Sequence, residues 1–291
     1  MRAVTAVVLA GVALGPRPSE DPLPSDGWRL VVLGIAQDAG MPHLSCQSPP
    51  CSDARAGRAE RERVSCLGLV HRPSGRAYLF DATPDLREQV HALTGGRLPD
   101  GIFLTHAHIG HYTGLMYLGK ESVAARDVPV FATSRMAAFL EANAPWKALV
   151  EARHVALRIV QPDRPLDLGL GVKVTAFQVP HRDELSDTVG YRIEGPRASA
   201  VFVPDVDRWE TWGRSIRELA DRVDLLFLDG TFAAADEVPG RALAEIPHPL
   251  IPDTRALLAG ARGRVLFIHL NHTNRQRGAP DVAREGQEFP L

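Results

Sequence analysis

Six residues of this 291-residue chain combine the right chemistry with telling positions: His106, His108, His111, His181, Asp205 and His269. Three lie in the run His106-Ala107-His108-Ile109-Gly110-His111. The others stand apart, each directly after an apolar stretch: His181 after VTAFQVP, Asp205 after AVFVP and His269 after VLFI. Imidazole nitrogen and carboxylate oxygen are the ligands that zinc takes at an open catalytic site, and iron or manganese suits the same donors. His106 and His108 are two apart, so both rings can face one way off a turn. A zinc ion lowers the pKa of a bound water from about 16 to about 7. Such a cluster would therefore deliver hydroxide at neutral pH, with one or two ions held.

Elements must bring these residues together. Apolar, β-branched runs bounded by Gly and Pro predict strands over 28–35, 64–71, 76–80, 101–105, 128–133, 155–160, 172–179, 188–194, 200–203, 224–228 and 265–268. The second and third of these form a hairpin turning at Pro73-Ser74-Gly75. Helices are predicted over 84–93 with Thr83 as N-cap, 113–125, 134–143 capped by Ser134, 209–220 and 253–261. Every candidate ligand then sits at or just past the C-terminal end of a strand, the rim on which ligand sites gather. Strands precede helices in both halves, which predicts an α/β fold with two β-rich sheets packed between helices. No internal linker interrupts the sequence, so one domain is expected from Trp28 to Leu291.

Composition narrows the function. Hydrophobic residues make up 45% and charged residues 23% of the chain, as in a globular protein. The net charge is −2 and no basic run occurs, so a nucleic-acid partner is not expected and a small-molecule substrate is. Residues 1–27 differ from the rest. Met1-Arg2 is followed by an apolar run to Leu14 and a Pro-rich stretch to Gly27. This reads as an export signal with a tether, too short to span a bilayer, and predicts a periplasmic or secreted protein, with a cytoplasmic one as the alternative. Nothing in the sequence sets the oligomeric state. The three cysteines, Cys46, Cys51 and Cys66, cannot form a complete disulfide set, though Cys46 and Cys51 could pair in an exported chain.

The segment FLTHAHIGHYTGL resembles the signature loop of the metallo-β-lactamase superfamily, His-x-His-x-Asp-His after a short apolar strand. The later candidates match in order, and Asp81 in YLFDA matches the structural aspartate upstream. The resemblance implies an αββα sandwich in which His106, His108 and His181 hold one metal, His111 and His269 hold a second, and Asp205 bridges them. One departure matters: Gly110 stands where the signature has its aspartate. The second site then keeps three ligands with less negative charge, and Asp229, at the end of LLFLD, is the candidate to fill the gap.

The opening LGIAQDAGMPHLSCQSPPC is similar to two branches of that superfamily. One is the pyrroloquinoline-quinone biosynthesis protein B group, which DLLFLDGTF and LFIHLNHTN also resemble. The other comprises phosphodiesterases of the phosphonate-utilisation and tRNA-maturation type. The Cys-x-Cys-x-x-Cys zinc knuckle of the first group and of the phosphonate enzyme keeps its spacing here as Cys46, Ser48 and Cys51, with Ser48 in place of the middle cysteine. Two thiolates need further ligands such as His43 to hold a structural zinc, and a Cys46–Cys51 disulfide is the other expectation. The resemblance also makes His248 a candidate general acid. His272 is placed beside the ligands as a hydrogen-bonding partner. The expected activity is metal-dependent hydrolysis of an ester, phosphodiester or related bond. Iron-dependent oxidoreduction and metal binding without catalysis are the alternatives.

Overall fold

The computed structural model describes residues 27–237 and 247–291. The expected export segment lies outside the described residues, save for Gly27. Strands β1 (Trp28–Gly34), β2 (Cys66–His71), β3 (Arg76–Phe80), β4 (Gly101–Phe103), β5 (Val128–Ala132) and β6 (Val155–Ile159) form one mixed sheet, completed by β13 (Glu288–Pro290) outside β1. The second sheet takes β7 (Leu166–Gly169), β8 (Val172–Gln178), β9 (Val189–Glu194), β10 (Ser199–Val203), β11 (Leu225–Asp229) and β12 (Arg264–Ile268) in spatial order β12-β11-β10-β9-β8-β7. Pairing changes from antiparallel to parallel after β3 in the first sheet and after β10 in the second.

The sheets face each other across an apolar core. Leu30 and Val32 of β1 point into it with Leu69, Phe80, Phe103, Val174, Tyr191, Phe202 and Phe227. Phe103 stacks on Phe80 at 5.1 Å and on Phe131 at 4.4 Å, and meets the edge of Tyr191 at 5.4 Å. The alternate residues face outward and are buried as well. Val31, Leu33 and Leu79 pack under α2 (Leu86–Thr94), α4 (Ser134–Ala142) and α5 (Trp146–Glu151). Val201, Val203, Leu226 and Leu228 pack under Trp209, Leu258 and α6 (Ile216–Ala220). Burial on both faces explains why these strands read as unbroken apolar runs rather than alternating ones. The architecture is the αββα sandwich that the sequence predicts. Among the described residues, no helix is long and apolar enough to cross a membrane.

Several helices depart from expectation. The helix predicted over 113–125 is instead α3 (Ile109–Tyr112) followed by a 3-10 turn over Thr113–Leu118. Gly114 is pinned to the exit of β3: its amide donates to Ala82 O at 2.9 Å, and a Cβ there would lie 2.0 Å from Thr83 O. The helix predicted over 209–220 is a 3-10 turn, Trp209–Thr211, and then α6. Indole hydrogen bonds from Trp209 to Thr254 Oγ1 (2.8 Å) and from Trp212 to Gln178 O (2.8 Å) anchor the intervening chain. Ser215 then caps α6 by accepting from Glu218 N. Thr133, not Ser134, caps α4, and α2 begins at Leu86, two residues later than expected. Further α-helices and strands lie where no element was predicted: α1 (Pro49–Arg55), α5, β7 and β13.

Candidate metal centre

The six sequence candidates converge on one rim of the sandwich. His106 and His108 follow β4, His111 lies in α3, His181 follows β8, Asp205 follows β10 and His269 follows β12. In the first pocket, His108 Nδ1 lies 2.9 Å from His106 Nε2 and 3.2 Å from His181 Nε2, while Asp205 Oδ2 is 3.4 Å from His106 Nε2. One proton cannot bridge three ring nitrogens at once, but a cation among them can. Donors about 2.0–2.1 Å from a tetrahedral zinc lie about 3.3 Å from one another, which is the spacing found. All donors of this set lie within 4.8 Å of each other.

A second pocket adjoins the first through Asp205. His111 Nε2 is 3.0 Å and His269 Nε2 3.4 Å from Asp205 Oδ2. The fourth member is Asp38, whose Oδ1 is 3.4 Å from His111 Nε2 and 3.6 Å from His269 Nε2. His111 Nε2, His269 Nε2 and Asp38 Oδ1 are all buried without a hydrogen-bond partner. Polar atoms left so are costly unless something charged meets them. Three such atoms facing one another, with Asp205 Oδ2 beside them, fit a metal ion. Sequence reasoning missed Asp38, although it too follows a strand end, in the loop after β1.

Hydrogen bonds behind the rings fix which nitrogen faces inward. Asp81 Oδ2 accepts from His111 Nδ1 (2.7 Å), so Asp81 stands behind the pocket rather than in it. Its other oxygen accepts from Thr105 N (2.8 Å) and Thr105 Oγ1 (2.9 Å), and Thr105 Oγ1 meets His106 Nδ1 at 2.9 Å. The other sheet repeats the device: Thr231 Oγ1 donates to Asp229 Oδ1 (2.7 Å) and meets His269 Nδ1 (3.0 Å). Asp207 holds His181 Nδ1 at 2.8 Å. Asp81 and His269 both adopt left-handed backbone, φ 74° and 64°, a strain of about 1–3 kcal/mol each that tends to collect at functional sites.

The two pockets differ electrostatically. Burial, and then the neighbouring charge of His111, push the His106 pKa well below its ordinary value; burial and His181 lower that of His108. Both rings are therefore neutral and ready to ligate. Burial also opposes a charge on His111, but the carboxylates of Asp81, Asp205 and Asp38 outweigh it and raise its pKa well above the ordinary range. Burial disfavours ionised Asp38 and Asp205 as well, yet the surrounding histidines hold both carboxyls far below theirs.

Asp229 does not fill the gap left by Gly110. Its Oδ2 accepts from His248 Nδ1 (2.7 Å) and Val206 N (3.1 Å), and its Oδ1 is held by Thr231. The space at Gly110 belongs to Asp38, so Asp229 serves as a partner behind His248. Burial lowers the His248 pKa and Asp229 more than reverses it, to about 9. His248 is buried and lines a hollow of 180 Å³ with Arg208, Trp209 and Leu250. A 260 Å³ hollow on the other flank is bounded by Gln37, Asp38, His43, Ile109 and His272. A cavity of 890 Å³ beside Trp212 and Arg192 does not touch the rim.

His272 lies elsewhere than expected. Its ring stacks on His43 at 4.3 Å and its donor atom falls within 4.8 Å of Cys46 and Cys51 Sγ. Cys46 and Cys51 are unlinked thiols, with Cys46 Sγ 2.9 Å from Ser48 Oγ. His272 thus belongs to the cysteine cluster and not to the histidine rim.

Comparison with known proteins accords with this geometry. The family described as the beta-lactamase superfamily domain matches residues 76–270. Coenzyme PQQ synthesis protein B of Ruegeria pomeroyi is 30% identical over 275 residues, covering 84% of this chain and 90% of its own. The same-named protein of a Methylobacterium species is 28% identical over 277 residues, with the same coverage. The crystal structure of Zn(2+)-bound PqqB from Methylobacterium extorquens superposes with a TM-score of 0.77 at 23% identity, covering 90% of this chain and all of that one. A diphosphatase from the PhnP family gives 0.66 at 22% identity, covering 90% and 96%. Human tRNase Z, short form, gives 0.58 at 17% identity, covering 90% and 99%. The chain belongs to the beta-lactamase superfamily, and coenzyme PQQ synthesis protein B chains are among its sequence relatives.

Proposed function

We propose that the chain is a metal-dependent hydrolase acting on an ester, phosphodiester or related bond of a small molecule. The observation that carries this is the pair of adjoining His/Asp pockets that share Asp205, the second of which turns unpartnered donor atoms of Asp38, His111 and His269 toward one another. In this reading His106, His108 and His181 hold a zinc ion, with Asp205 between it and a second ion at His111 and His269. The metal would supply an activated water at neutral pH and polarise the bond to be cut. The zinc-bound PqqB neighbour supports zinc, and the neighbours named as a diphosphatase and a tRNase support hydrolysis.

The protein's own part is orientation and proton delivery. Asp81, Thr105, Thr231 and Asp207 hold the outer nitrogens of His111, His106, His269 and His181, which turns the other nitrogen of each ring into the pockets. His248 donates Nδ1–H to Asp229, which leaves its Nε2 as the nitrogen that can serve the reaction. With a pKa of about 9 it is protonated at neutral pH and suits the role of acid to a departing oxygen. Hydrolysis of bis(4-nitrophenyl) phosphate and 4-nitrophenyl acetate by protein purified without added metal tests the proposal. Turnover that chelation removes and zinc restores is expected; turnover indifferent to chelation contradicts it.

The kinship with PQQ synthesis proteins favours a second reading, in which iron at the same ligands supports oxidoreduction. Bound iron together with oxygen consumption, and no hydrolysis, would put it first.

A further inference from the structure

We propose that Asp38 and Gly110 are a matched pair: Asp38 supplies the carboxylate of the second pocket from the loop after β1, and residue 110 is glycine because that carboxylate fills its side-chain space. This rests on the metal-binding reading of the rim and adds a ligand to it.

The geometry at Gly110 is the starting point. A Cβ placed there would lie 2.2 Å from Asp38 Oδ1, 2.9 Å from its Cγ and 2.7 Å from its Cα. A flexible side chain could swing away from such a contact, but the Cα at 2.7 Å is backbone. Any residue larger than glycine must therefore move the loop itself. Gly110 lies inside α3 and is not among the residues with positive φ. Glycine inside a helix is destabilising relative to alanine, so conformation gives no reason for it here and space does.

The loop is also held where it must be. Gln37 N donates to Leu270 O (2.9 Å), next to His269, and Ala36 bridges in parallel to both Val64 and Leu270. Gly40, at φ 69°, closes the turn by donating to Gln37 O (2.8 Å). These bonds tie the Asp38 backbone to the end of β12, and Asp38 Oδ1 ends buried, without a hydrogen-bond partner, between His111 and His269. The carboxylate that the histidine run lacks has moved about seventy residues upstream in sequence while remaining beside the same histidines. A substitution of Gly110 by Asp, which sequence comparison alone suggests would rebuild the second site, should instead collide with its replacement.

The test is zinc binding to the full chain after chelator stripping, with ions counted by elemental analysis and folding monitored by circular dichroism. Wild type is expected to hold two ions. Asp38→Asn should keep the first and weaken the second at least about tenfold. Gly110→Ala changes no donor atom yet should also lose the second ion. Gly110→Asp alone should gain no affinity and should lower the Tm, whereas Asp38→Gly combined with Gly110→Asp should recover two ions. Two tightly held ions in Asp38→Asn or in Gly110→Ala would overturn the pairing, as would a tighter second site in Gly110→Asp alone. If Asp38→Asn does not fold, Gly110→Ala decides. A wild type holding one zinc overturns this inference and leaves the first pocket standing; one holding none overturns the metal reading of the rim itself.

Discussion

The two pockets share Asp205 but are assembled differently. In the first, His106 and His108 leave one turn two residues apart, and besides the shared Asp205 it is His181 that arrives from the second sheet. In the second, Asp38, His111 and His269 come from three elements far apart in sequence. His106 and His108 of the first set are held neutral before any metal arrives, whereas the second carries a His111 whose proton its carboxylate neighbours stabilise. Local spacing makes a pocket that can be read from sequence and needs little help from charge. Tertiary convergence makes one that depends on a distant loop and on the space left for it.

The sharpest break of this comparison is at the shared ligand. Asp205→Ala should empty both pockets and remove hydrolysis by at least about a thousandfold, as expected when metal-bound water is lost; full metal content in this variant would show that the pockets do not depend on a common bridge. Next in size, His106→Ala with His108→Ala should empty the first pocket and abolish turnover, while His269→Ala should cost the second ion only. Equal losses from both would mean the pockets are not separable.

Smaller effects test the supports. His248→Asn should leave both ions in place and lower kcat by about a hundredfold or more, and Asp229→Asn should follow it more weakly; a change in metal content would place His248 among the ligands instead. Thr105→Val and Thr231→Val remove matched hydrogen bonds behind His106 and His269, and each should weaken its own pocket by about 10–100-fold. If both variants weaken the same pocket, the parallel between the two sheets fails.

The smallest effect concerns pH and has opposite signs in the two pockets. His106 and His108 have folded pKa values below the usual 6.5, so unfolding takes up protons below that pH. Stability of the metal-free protein falls there by about 1 kcal/mol per pH unit per group. His111 has a raised folded pKa, so its contribution is fully present below pH 6.5 and is lost as pH rises through the folded value. Urea unfolding in chelator across pH 5–8 should show His106→Gln flattening the acid side of the profile and His111→Gln flattening the alkaline side.

Much of this was legible in the sequence, for a physical reason. Strands buried on both faces, such as β1, β10 and β11, announce themselves as apolar runs, and a ligand just past each run sits on the rim by construction. Helices were harder to read. The stretch 113–125 has helical composition, but Gly114 binds the chain to β3, a contact that no local pattern records. Asp229 looked like the missing ligand because it ends a strand, yet Thr231 and His248 had already claimed its oxygens. Asp38 carried the same strand-end signal, and the missing acid at position 110 was its counterpart. Only the fold shows that they occupy one space. His272 stands three residues after His269 in the sequence, but the loop turns its ring to His43 and the cysteines.

The most direct single measurement is the zinc content of wild-type protein purified without added metal. Two ions per chain are expected, one for each pocket about Asp205. A chain that carries no metal, and takes up none when zinc is supplied, would contradict the reading of this rim as a metal centre.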